Sequence, residues 1–191
     1  MTRPLTVAII AFTTFALIGC TTVPRSETAR AGLHDEAQAA LKRMESIDPG
    51  LKTFLDKAHA YAVFPSVCKG GIIVGGAYGR GVVYEQVGMI GYSDLTQATI
   101  GAQLGGQTFA EIIAFETKEA LDRFKLGNFA FSANASAVAL KAGASATARY
   151  ENGVAVFTHP NGGLMFEASV GGQKFSFVSG DAVGDTPRPA P

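Results

Sequence analysis

From residue 29 to residue 47 the apolar positions recur at helical spacing. At 100° per residue Leu33, Ala37, Ala40, Leu41, Met44 and Ile47 fall within an arc of about 120°. His34, Asp35, Glu36, Gln38, Lys42, Arg43 and Glu45 lie outside it. Asp48-Pro49 then offers a cap followed by proline at a first helical position. A second helix is predicted to carry Leu51, Phe54, Leu55, Ala58 and Ala62 on one side and to stop before Pro65. Past Pro65 the period changes. Short β-type runs occur at Ile72-Ile73-Val74, Val82-Val83-Tyr84 and residues 108–115, 154–157 and 174–178, with most of the 23 glycines among them. Glycines inside strands mark bulges, sharp bends or close backbone contacts, and Gly75 and Gly76 read as positions that a Cβ would obstruct. Thr117 to Gly127 is a third helix with a capping threonine and a closing glycine. Residues 129–140 alternate, placing Phe129, Phe131, Ala133, Ala135, Ala137 and Ala139 on one face. Asn152-Gly153 and Asn161-Gly162-Gly163 read as hairpin turns. Few long helices separate the strands, which argues against parallel βαβ units. The pattern predicts an α+β fold: N-terminal helices packed on a curved, mainly antiparallel, glycine-rich β-sheet or barrel.

Ahead of the first helix the order is different again. Arg3 precedes a mostly apolar run from Val7 to Ile18, broken only by Thr13-Thr14, and the run ends in Leu17-Ile18-Gly19-Cys20. Charge, apolar run and small residue make a secretory signal, too short and wrongly flanked for a spanning helix. The cysteine directly after the small residue resembles the bacterial lipobox. That resemblance implies that residues 1–19 are a signal peptide and that Cys20 is the lipid-attachment residue, acylated on its thiol and its new amino terminus. Residues 20–28 then form a lipidated tether, 29–179 the domain and 180–191 a disordered tail. Each buried acyl methylene contributes about 0.8 kcal/mol, so one chain anchors marginally and two or three hold firmly. Thr21 follows the cysteine where an aspartate would signal retention. By resemblance to lipoprotein sorting in Gram-negative bacteria, this implies the outer membrane, with the domain facing the periplasm.

Composition narrows the chemistry. The 191 residues suit one domain, and 47% hydrophobic against 17% charged leaves ample material for a core. Sixteen basic residues balance sixteen acidic ones, and loss of Arg3 with the signal leaves a net charge of −1. Nucleic acid as a partner calls for a basic excess that is absent. With Cys20 committed to lipid, Cys68 has no disulfide partner; between Val67 and Lys69 it reads as a small buried hydrophobe rather than a nucleophile. Gly70 and Gly75 have the spacing of a phosphate-binding loop, but Gly76-Ala77 stands where Lys and Ser/Thr are required. His34, His59 and His159 form no short-spaced ligand set, and no serine sits in G-x-S-x-G. No cofactor, metal or enzymatic activity is expected.

One stretch carries a family likeness. Val63-Phe64-Pro65, Lys69-Gly70-Gly71, Val74-Gly75-Gly76 and the pair Gly79 and Gly81 follow one another in the order of the SYLF-domain family. Gly101-Ala102-Gln103-Leu104-Gly105, the helix around Ala120, Leu121 and Phe124, and Gly162-Gly163-Leu164 extend the resemblance over about residues 33–178. That family is lipid-binding, and it occurs in eukaryotic endocytic adaptors and, alone, in bacterial lipoproteins. A tryptophan that members often carry near the place of Gly91-Tyr92-Ser93 is absent here. The resemblance implies binding of phospholipid, helped by an amphipathic N-terminal helix. Phosphoinositides and actin do not transfer to a periplasmic domain. Anionic headgroups do, with cations near the motif as candidate lipid-binding residues: Lys69 and Arg80 within it, Lys52 and Lys57 just before it, Lys42 and Arg43 on the first helix. Asp35, Glu36 and Glu45 share that helix's polar side, which favours packing on the sheet over lying on a bilayer. The expected function is a membrane-anchored, non-enzymatic periplasmic domain that binds phospholipid. The alternative is a structural or scaffolding envelope lipoprotein that binds a protein partner.

Replacing Cys20 by serine is expected to abolish acylation and release the chain from the membrane fraction. Labelling with a palmitate analogue checks this; a Cys20→Ser chain that still labels carries its lipid elsewhere.

Overall fold

The computed structural model describes residues 26–86, 88–127, 130–131 and 137–180. Residues 1–25, with Cys20 and most of the expected tether, and the expected tail from Asp181 onward lie outside the described residues. Helix α1 spans Glu27–Ile47, and the Ser26 hydroxyl accepts the Ala29 N–H at 3.2 Å. The helix therefore takes in Glu27 and Thr28, which the sequence assigned to the tether. Helix α2 is Gly50–Lys57. Asp48 sits between the two, its Oδ1 accepting from Gly50 N–H at 3.1 Å and its Oδ2 from Ser145 N–H at 2.7 Å.

The second helix does not run to Pro65. It ends at Lys57, and Ala60–Gly71 form strand β1. Alternating bulky residues (Tyr61, Val63) suit a strand better than a helix. Pro65 falls where the register slips between Val63 and Ser66, a bulge that tolerates a residue without an N–H. Strand β2 is Val74–Glu85 and β3 is Gly88–Phe115, 28 residues long. Helix α3 is Lys118–Lys125, with Thr117 Oγ1 accepting from Ala120 N–H at 3.3 Å and Gly127 at φ +68°. Strands β4 (Ala130–Phe131) and β5 (Ala137–Ala139) are short; residues 129 and 132–136 of the expected alternating run lie outside the described residues. Helix α4 is Ala144–Thr147, and β6 is Val154–Ser179, 26 residues.

The pairing explains the shape. Strand β2 pairs with β3 from Val74↔Ile100 to Glu85↔Gly88, and β1 pairs with the other half of β3, from Ala60↔Phe115 to Gly71↔Gly105. Because β1 also pairs with β2, one edge of β3 serves both arms of a single hairpin, and β3 must bend between them. Gly101 at φ +143° and Gly105 at φ +119° stand at the bend, in backbone conformations that strain any residue with a Cβ. The opposite edge of β3 pairs with β6 along nearly its whole length, from Gly91↔Ser179 to Phe115↔Val154. Strand β4 pairs antiparallel and β5 parallel with β6. The fold is α+β with a mostly antiparallel sheet, as the pattern predicted, and the sheet has six strands among the described residues. The sheet is open and does not close into a barrel.

Two expected features resolve differently. Asn152-Gly153 makes the two-residue turn, with Glu151 and Val154 exchanging hydrogen bonds of 2.8 and 3.1 Å. Asn161-Gly162-Gly163 does not turn; β6 passes through it with a register slip opposite Thr108/Phe109. Ile72-Ile73 is not a strand but the connection between β1 and β2.

Neighbouring residues of each strand feed different cores. Val82, Tyr84, Tyr92, Ala110 and Ile112 share a cluster with Leu33, Ala37, Leu41 and Met44 of α1 and Leu51 and Leu55 of α2. This is the front face. Val67, Val83, Leu95, Ile113, Phe115 and Phe175 share another with Leu121 and Phe124 of α3, the back face. Phe124 packs its ring 4.8 Å from Phe115 and 5.1 Å from Phe175.

Of the two glycines that begin β2, one is crowded. A Cβ on Gly75 would lie 2.7 Å from Thr99 Oγ1 and would displace the buried Gln103 amide; on Gly76 it meets Gln97 O at 3.4 Å. Gln103 is held by Thr99 Oγ1 at 2.9 Å and donates to Ile73 O at 3.1 Å, so moving it breaks hydrogen bonds. Gly75→Val is expected to destabilise by about 1–3 kcal/mol and Gly76→Val by less than about 1 kcal/mol. Thermal melts check this; equal losses would show that crowding at Gln103 is not the cause.

Candidate functional site

The six candidate cations do not converge. Lys42 and Arg43 are exposed on α1, and Lys52 and Lys57 are exposed on α2. Lys52 is already engaged in an i,i+4 pair with Asp56 at 2.8 Å. Lys69 is not a surface cation: its side chain is 4% exposed and its Nζ lies 2.6 Å from Glu167 Oε1. Two residues beyond Val67, it points to the back face. Arg80, two residues before Val82, points to the front, half-buried, donating from Nε to the Tyr78 hydroxyl at 2.9 Å. Its guanidinium also lies 5.9 Å from the Tyr78 ring. Cys68, expected to be buried, is exposed, because the hydrophobic partners of β1 at this level lie under its neighbour Val67.

What the back face does assemble is polar. A cavity of about 540 Å³ is lined by Lys69, Gln97, Glu111, Glu167 and Gln173 together with Phe109 and Pro160. Gln173 Nε2 donates to Glu111 Oε2 at 3.0 Å, while Glu111 Oε1, Gln173 Oε1 and Gln97 Nε2 lack hydrogen-bond partners among the described residues. Burial pushes the Glu111 carboxyl up to about 7, only partly opposed by the Gln173 hydrogen bond and the Lys69 charge. Burial likewise pushes Asp94 up to about 6, against the pull of the Arg80 charge and a hydrogen bond from Tyr78. Residue types alone could not reveal this group, since Lys69 and Glu167 are 98 positions apart and meet only through β3. Among the described residues no cluster of ligating side chains could hold a metal ion.

The other departure from an ordinary surface is apolar. Ile72, Ile73, Val74, Ile100, Leu104, Leu164 and Phe166 are each 64–91% exposed. The register gathers them at one end of the sheet: Val74 opposite Ile100, Leu104 opposite Phe166, and Leu164 opposite Gly106, itself opposite Gly70. The sequence carried a signal for this that cation counting passes over. No charged residue occurs from Gly70 to Gly79, nor from Leu95 to Ala110.

No family model matches the chain. Over 117 residues, 61% of its length, the chain is 31% identical to the Beta cell expansion factor A of Aeromonas veronii. The matched region is 44% of that protein, so the chain spans less than half the length of this relative.

The raised carboxyl of Glu111 sets a pH dependence. The folded chain holds that proton where the unfolded chain has released it, between the ordinary value of 4.5 and about 7. Its contribution to stability is present below 4.5 and is lost as pH rises through 7. One such group changes stability by at most ~1.4 kcal/mol per pH unit. The Glu111→Gln variant is expected to flatten the decline between pH 4.5 and 7 in denaturant titrations. A slope the substitution leaves unchanged assigns the effect to another group, Asp94 first.

Proposed function

We propose that this chain is a non-enzymatic, phospholipid-binding domain, tethered through acyl groups on Cys20 to the outer membrane and facing the periplasm. The observation that carries the reading is the gathering of seven large exposed apolar side chains at one end of the sheet. Scattered exposed hydrophobes are ordinary, whereas a contiguous group marks a surface that meets another apolar phase. The resemblance to the SYLF family, over about residues 33–178, supports the same reading. In it the N-terminal helices are part of the domain: the stripe from Leu33 to Met44 is spent on the core shared with Val82 and Ile112 and is not offered to a bilayer. Lys42, Arg43, Lys52 and Lys57 remain at the surface as secondary contacts for anionic headgroups, each contributing about 1 kcal/mol near an anionic membrane. Lys69 and Arg80, engaged with Glu167 and Tyr78, are left out of that set.

A chain lacking residues 1–20 is expected to co-sediment with vesicles of phosphatidylethanolamine and phosphatidylglycerol. Added salt is expected to weaken binding only partly, because screening acts on the exposed lysines and not on apolar contact. Absence of binding at low salt would favour the scaffolding alternative, a domain that touches lipid only through its anchor.

A further inference from the structure

At the bend of β3 the usual arrangement of a soluble sheet is reversed. Nearer the core, Leu95 is buried and Thr96 exposed. Two residues further the buried positions become polar, Gln97, Thr99 and Gln103, while Ala98, Ile100 and Leu104 face solvent. Strand β6 does the same, with Gln173 buried and Ala168, Phe166 and Leu164 exposed. Strand β1 turns the Lys69 ammonium inward against Glu167 while the connection beyond it presents Ile72 and Ile73 outward. Polar inside and apolar outside is the alternation of strands that face lipid.

The backbone at this end can leave water. Strands β1 and β2 are paired on both edges, and the carbonyls of the connection are also satisfied. Ile72 O accepts from Gln103 N–H at 3.2 Å, and Ile73 O from Gly101 N–H at 2.9 Å. An unpaired backbone group in hydrocarbon would cost several kcal/mol. The outer edge of β6 between Pro160 and Gly172 has no strand partner among the described residues, which limits immersion to the depth of side chains. The apolar end is also too short to span: it extends about four residues per strand, about 13 Å against a core of about 30 Å.

The direction of the anchor agrees. Ala29 and Gly32 of α1 border the same groove as Cys68, four residues before Ile72, and Tyr78, four residues after Val74. Cys20 precedes Ser26 by six residues, a covalent reach of at most about 22 Å. An acyl group on Cys20 can therefore reach this end of the domain.

We propose that the apolar end around Ile72, Ile73, Val74, Ile100, Leu104 and Phe166 inserts shallowly into the hydrocarbon of the leaflet that holds the Cys20 anchor. This rests on the phospholipid reading and specifies it: the end meets acyl chains of any phospholipid, not a charged headgroup. The chain contains no tryptophan, so Ile73→Trp is a single reporter in the full acylated protein, with Met89→Trp at the start of β3, opposite Tyr84 at the far end of β2, as its control. In phosphatidylcholine vesicles with brominated acyl chains, the Ile73→Trp reporter is expected to emit at shorter wavelength than the Met89→Trp control and to lose at least half its intensity. The control stays unquenched, and 0.5 M salt changes neither. Equal, unquenched emission from both variants overturns the insertion. A blue shift of the Ile73→Trp reporter without quenching also overturns it, showing the end covered by protein, such as a second copy of this chain. The chain lacking residues 1–20 separates the two claims. If it co-sediments with vesicles while the Ile73→Trp reporter is unquenched, phospholipid binding stands and insertion fails; if it does not co-sediment and the reporter is unquenched in the acylated chain, both fail. Should Ile73→Trp misfold by circular dichroism, Leu164→Trp, at a position 91% exposed, serves as the reporter.

Discussion

The sharing of one edge of β3 by both arms of the β1–β2 hairpin is the constraint from which the rest follows. Two strands joined by the Ile72-Ile73 connection can both pair with β3 only if β3 bends where the connection meets it. The bend needs Gly101 and Gly105, whose φ values other residues reach only with strain. Because β6 follows β3 along its length, it is carried through the same bend, and side chains from three strands are brought to one end of the sheet. No short-range signal in the chain could assemble that end.

Two faces of the sheet then meet different fates. Near the chain's helices both are apolar: α1 and α2 share a core with the front, and α3 seats Phe124 among Phe115 and Phe175 on the back. Toward the bend the helices run out. The back face is lined by Gln97, Gln103, Glu111 and Gln173 and by the Lys69–Glu167 pair, while the outer side chains turn apolar. Burying these groups is costly unless they bond one another, and several do. Glu111 answers the residual cost by holding its proton towards neutrality. At this end the sheet buries amides and exposes isoleucines, the reverse of its arrangement beside the helices.

This changes where the proposed lipid contact would reside. A cationic surface was the natural expectation from Lys69 and Arg80 in a glycine-rich stretch, since little bulk surrounds them in sequence. Both are instead structural: one pairs with a half-buried carboxylate, the other is held by a tyrosine. The remaining lysines and arginines on α1 and α2 sit among acidic residues and form no concentrated field. The apolar end has no charge to screen, so the lipid contact proposed for it would rest on the area it removes from water, about 25 cal/mol per Å².

By itself the sequence determined the elements whose cause is local. The apolar stripe of α1, the Thr117 cap and Gly127 stop of α3, the Asn152-Gly153 turn and the α+β class each follow from a few adjacent residues. Only the tertiary structure decided the end of α2 at Lys57, since a run such as Tyr61-Ala62-Val63-Phe64 satisfies a helix stripe as well as a strand until β3 offers it hydrogen bonds. It alone made one 28-residue strand where only residues 108–115 read as a β-type run, because glycines that break a strand locally are what let a long one bend. The candidate site was least legible of all. Alternation shows that two faces exist, but which is covered, and whether Lys69 finds Glu167, depends on pairings across about a hundred residues that periodicity does not encode.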